Sequence, residues 1–98
     1  ILDVAVDLRK DSPNFKKCVS RILSDVNMLN MFIPVGFAHG YCTLTENTEV
    51  FYKCSNYYNK IYDAGFLWSD KNINIKWPTN NPIISKKDQN LPNFKEIM

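Results

Sequence analysis

Apolar and polar positions alternate from the first residue. In Ile1–Leu8, Leu2, Val4, Val6 and Leu8 alternate with Asp3, Ala5 and Asp7, the two-residue period of a strand with one apolar face. RKDSPNF follows with charge, Ser and Pro, a turn by composition. Lys17–Leu23 alternates again, with Val19, Arg21 and Leu23 on one face and Cys18, Ser20 and Ile22 on the other. SDVN marks a further turn, and Leu29–Ile33 is predicted as a strand. Pro34 and Gly36, in PVGFAHGY, suit a tight turn, since Pro fixes φ and Gly tolerates positive φ. Ala38–Leu44 and Thr48–Cys54 then read as strands on either side of the polar turn TENT. Five short strands with turn signals between them predict an all-β, antiparallel sandwich or barrel, not a helix-rich fold.

Beyond Cys54 the alternation breaks. Ser55–Gly65, with paired aromatics and Asn, reads as a loop with a short helical turn. FLW and INIKW give one or two more short strands, separated by SDKN, where Asp70 and Asn72 favour side-chain to backbone bonds. PTNNP and NLPNF make the tail, about 78–98, irregular, pinned by Ile83, Ile84, Leu91 and Phe94. The whole chain, 1–98, is expected to be one domain.

Ninety-eight residues at 45% hydrophobic content suffice for one core, although burial at this size is incomplete. A net charge of +2, with acidic and basic residues interspersed, argues against nucleic acid or an anionic membrane as partner. No apolar run approaches a membrane span, and no charged-then-apolar leader is expected. Cys18, Cys42 and Cys54 are odd in number and without a CxxC spacing, so they read as reduced, buried thiols of a cytoplasmic protein. Opening in mid-alternation without Met, the chain suggests that a preceding segment is missing.

The candidate chemistry centres on His39 and Tyr52. A hairpin of the strands holding them would bring an imidazole and a phenol into one apolar cup, which suits proton chemistry or simply a satisfied core. Pro-x-Gly-x-x-His also resembles a metal-binding cupin motif, but such a site gathers several His and a carboxylate, and His39 is the only histidine. A non-catalytic binding module using Tyr57, Tyr58, Trp68 and Lys87 is a further reading.

DVAVDLRKDSPNF, FIPVGFAHG, VFYKCSNYY, LWSD, INIKWP and ISKKDQ, in this order and at these separations, resemble the carboxy-terminal portion of dTDP-4-dehydrorhamnose 3,5-epimerases. The resemblance implies a cupin-like jelly roll, incomplete at its N-terminus, that dimerises or associates with the missing half. It implies a dTDP-sugar substrate, a place in dTDP-L-rhamnose and cell-surface polysaccharide synthesis, and neither metal nor organic cofactor. The implied reaction removes protons at C3 and C5 of a 4-keto sugar and returns them to the opposite face, with an enolate between.

Residue by residue, Tyr52 matches the family's tyrosine acid, and His39 a histidine near the substrate. Tyr58 matches the aromatic that stacks on thymine, Lys87 a lysine near the phosphates, and Asp88 an aspartate that orients the base histidine. Asp63 stands where the family commonly has Glu. Read without the family, Tyr52 is a strand tyrosine, His39 a core histidine, and Lys87 and Asp88 are solvated charges. The family's base histidine and the arginines, glutamine and lysine that grip the nucleotide belong upstream of this segment. Alone, the chain is expected to be catalytically incompetent and to expose an unpaired sheet edge.

Overall fold

The structure, a computed structural model, describes all residues from 1 to 98. Three strands form one antiparallel sheet: β1 (Leu2–Asp7), β2 (Cys18–Ile22) and β3 (Phe37–Cys42), in the order β2-β1-β3. A 3₁₀ turn at Lys60–Tyr62 and two one-turn helices, α1 (Lys86–Gln89) and α2 (Phe94–Ile97), complete the regular structure. The tight turn ahead of β3 is present, and Gly36 takes φ of 93°, a conformation that costs a glycine little.

Register divides the side chains into two sets. Leu2 faces Ile22 and Cys42, and Val4 faces Ser20 and Gly40, so these share one side of the sheet. Asp3 faces Arg21 and Tyr41, and Ala5 faces Val19 and His39, on the other side. The first side holds the core: Val4, Val6, Ile73 and Phe94 are buried, with Phe66, Ile75 and Trp77 packed against them. Phe94 stacks edge-on against Phe66 at 5.5 Å and tilted against Phe15 at 6.1 Å.

Asp70 joins the turn to the tail. Its carboxylate accepts the backbone N–H groups of Asn72 at 2.8 Å, Ile73 at 3.3 Å and Phe94 at 2.7 Å. Burial works to raise its pKa, but these three bonds outweigh it and lower the value below the ordinary carboxylate position. The same contact fixes the start of α2 and seats Phe94 in the core.

Two predicted strands are absent. Leu29–Ile33 and Thr48–Cys54 run without a ladder partner, and Phe32, Phe51 and Tyr52 are 88%, 86% and 73% exposed. A strand requires a neighbour to take its backbone bonds and a surface to take its apolar face, and neither segment has them. FLW and INIKW likewise carry no strand. Within the tail Phe94 is buried as expected, but Ile83 is fully exposed and pins nothing. The three thiols are free but not buried: Cys18 and Cys54 are exposed and Cys42 is intermediate. Cys18 lies on an edge strand with nothing beyond it, which is why alternation alone misjudged its surroundings.

Candidate functional site

Strand β3 has β1 on one side only, so its other edge is free. A cleft of about 800 Å³ runs along that edge. Its floor is Val4, Val6, Ala38 and Gly40, and its far wall is Phe66, Trp68, Trp77, Ile84 and Leu91. A Cβ placed on Gly40 would lie 3.6 Å from the indole of Trp77, ordinary packing contact, so that ring lies directly over β3. The indole N–H of Trp77 donates to the carbonyl of Trp68 at 2.8 Å, which fixes its tilt.

Four of the six candidate residues line this cleft: His39, Asp63, Lys87 and Asp88. Asp63 follows the 3₁₀ turn, and Lys87 and Asp88 lie on α1, which starts where Ser85 Oγ accepts the Asp88 backbone N–H at 3.2 Å. Lys87 Nζ donates to Asp63 Oδ2 at 2.6 Å, and the Tyr58 hydroxyl donates to the same oxygen at 3.3 Å. Tyr58 is thus tied to the cleft through Asp63 although it does not line it. The Lys87 hydrogen bond holds the Asp63 carboxyl below its usual pKa, and the reverse interaction raises that of Lys87.

His39 is positioned by its strand. Alternation sends its imidazole to the side of Asp3 and Ala5, away from Trp77, and its Nε2 meets Asp3 Oδ1 at 2.5 Å. A carboxylate only accepts, so the proton of this bond sits on Nε2, and a neutral imidazole keeps Nδ1 as its acceptor. Asp3 is buried and the imidazole is about two-fifths exposed, so the pair has a fixed base and an accessible tip. Asp3 was absent from the candidates. The signal that finds it is parity: odd positions of β1 share a face with odd positions of β3, and Asp3 lies one step along from the residue opposite His39.

The predicted hairpin between His39 and Tyr52 is not formed. Residues 48–54 lack a strand partner, and Tyr52, largely exposed, does not line the cleft. Asp88, expected to orient a histidine, is exposed, and the carboxylate on the only imidazole is Asp3. No three His, Cys, Asp or Glu side chains converge as ligands for a metal ion.

An open antiparallel sheet with an aromatic-walled cleft at its free edge defines a sheet-based, cupin-type fold. The chain belongs to the dTDP-4-dehydrorhamnose 3,5-epimerase family, whose model matches residues 1–96. It is 51% identical over 94 residues to the Shigella flexneri enzyme of that name, covering 96% of this chain and 52% of the relative. The crystal structure of the Elizabethkingia anophelis enzyme superposes with a TM-score of 0.88 at 41% identity, over 97% of this chain and 53% of that one. The Bacillus anthracis enzyme, solved with TDP and PPi bound, superposes with a TM-score of 0.82 at 42% identity, over 95% and 53%. The chain therefore spans about half the length of the relatives it matches.

Proposed function

We propose that residues 1–98 form the carboxy-terminal portion of a dTDP-4-dehydrorhamnose 3,5-epimerase, inactive alone, which acts on a dTDP-4-keto-6-deoxy sugar in the cytoplasm for cell-surface polysaccharide synthesis. The observation that carries this reading is the convergence of Asp63, Lys87 and Asp88 on one aromatic-walled cleft, edged by the strand of His39, in a chain of this family. That the Bacillus anthracis relative was solved with TDP and PPi supports a nucleotide diphosphate as the bound group. Lys87 meets the phosphates, Tyr58 offers its ring face to the thymine, and Asp63 stands beside both. His39 belongs to the strand that edges the cleft, and its imidazole, with Nε2 held by Asp3, stands on the other side of the sheet.

Tyr52 is the proton donor in this reading. A phenol that is 73% exposed is no use as an acid in water, so catalysis requires a second surface that closes over residues 48–54. With one imidazole in the chain, the opposing base also comes from that surface, which belongs to a complementary segment or another copy. Asp88 then orients the incoming imidazole. Exposed Phe32, Phe51, Tyr57 and Ile61 supply apolar area for such an association.

The test follows solvent deuterium entering C3 and C5 of a dTDP-4-keto sugar. The chain alone is expected to give no exchange, and mixing with the N-terminal half of a family member is expected to give exchange that Tyr52→Phe lowers about 10²-fold or more. Exchange by the chain alone, or exchange in the mixture indifferent to Tyr52→Phe, overturns the reading.

A further inference from the structure

We propose that Asp63 is an intramolecular competitor for Lys87, holding the ammonium that a diphosphate needs and so setting how tightly the cleft takes its nucleotide. This rests on the reading of the cleft as a nucleotide site. The lining contains Lys87 as its only ammonium or guanidinium group, against the carboxylates of Asp63 and Asp88. Lys87 is already engaged by Asp63 at 2.6 Å. A diphosphate entering this cleft therefore meets a neutralised cation and two nearby negative charges. It gains the ammonium only by displacing the Asp63 carboxylate.

Displacement has a second effect. The Tyr58 hydroxyl donates to the same Oδ2 that accepts from Lys87, so one carboxylate oxygen holds both groups. When an anion takes Lys87, Oδ2 is left with the Tyr58 hydroxyl as its remaining donor, so the change at Asp63 is felt at the Tyr58 ring. Phosphate capture and nucleobase stacking are thereby coupled through a single side chain. The directions of the pKa shifts at Asp63 and Lys87 agree with a pair formed in the unliganded cleft. Both groups are partly exposed, so the competition is modest in size and sensitive to salt.

Calorimetric titration with inorganic pyrophosphate and with dTDP tests this on the full chain, on Asp63→Asn, on Lys87→Met and on the double variant. Asp63→Asn is expected to bind pyrophosphate about two- to five-fold more tightly at low salt, with the gain shrinking at high salt and vanishing on the Lys87→Met background. Binding by the unaltered chain with no gain in Asp63→Asn overturns the proposal and leaves the nucleotide reading standing. Failure of both chains to bind pyrophosphate or dTDP removes the nucleotide reading, and the competitor with it. The pairing has its own measurement in the acylation rate of the Lys87 amine. Freed of its carboxylate, that amine loses its raised pKa and should react faster in Asp63→Asn, whereas Asp63→Glu should retain the slow rate. Equal rates in all three chains overturn the pairing.

Discussion

The two sides of the sheet use the same three strands for opposite purposes. On the side of Val4 and Val6, the chain returns from residues 66–98 to cover the strands, and Ile73 and Phe94 complete a buried cluster. On the side of Asp3, Ala5 and Asp7, the central strand is equally buried, but polar groups do the covering: His39 on Asp3, and Arg9 with Ser12 on Asp7. Apolar packing on the first side is non-directional and supplies stability. The hydrogen bonds of the second side fix directions, and they aim an imidazole outward.

That contrast ranks the expected effects. Phe94→Ala empties the middle of the apolar cluster and should cost about 3–5 kcal/mol in urea unfolding. Asp70→Asn turns one accepting oxygen into an amide facing a backbone N–H, at a cost of about 2–3 kcal/mol. Its pH dependence has a definite sign. The folded pKa of Asp70 lies below its ordinary 3.8, so its contribution is complete above that value and is lost as pH falls further. Stability measured from pH 6 to pH 2 should therefore fall less steeply in Asp70→Asn.

Substitutions on the polar side should do less to stability and more to geometry. Gly36→Ala places a Cβ 2.7 Å from Arg9 Cγ at a positive φ and should cost about 1–2 kcal/mol, with loss of the Arg9–Asp7 pair. Asp3→Asn is nearly isosteric and should cost about 1 kcal/mol. Its signature is the His39 tautomer: imidazole nitrogen NMR shifts should report Nε2–H in the unaltered protein and a move toward Nδ1–H in the variant. An unchanged tautomer would show that Asp3 does not set it.

Much of this contrast could be read from the chain itself. Alternation located β1, β2 and β3, because each has a partner that makes its period meaningful. The same reasoning failed for Leu29–Ile33 and Thr48–Cys54, where alternating residues are available but no neighbour is. Period describes what a segment offers, and pairing depends on what lies beside it. The short helical turn before Asp63 and the side-chain bonds at Asp70 were legible because they are local. Asp3 as partner of His39 and the Asp63–Lys87 pair were not, since their members lie 36 and 24 residues apart and depend on register and on the path of the tail.

The hydrogen bond from Trp77 to Trp68 has a practical outcome. These are the chain's only two tryptophans, and both stand in the wall of the cleft. Indole emission from this protein therefore originates beside the cleft. A change in that light reports what enters the cleft and is nearly blind to the distant edge of the sheet.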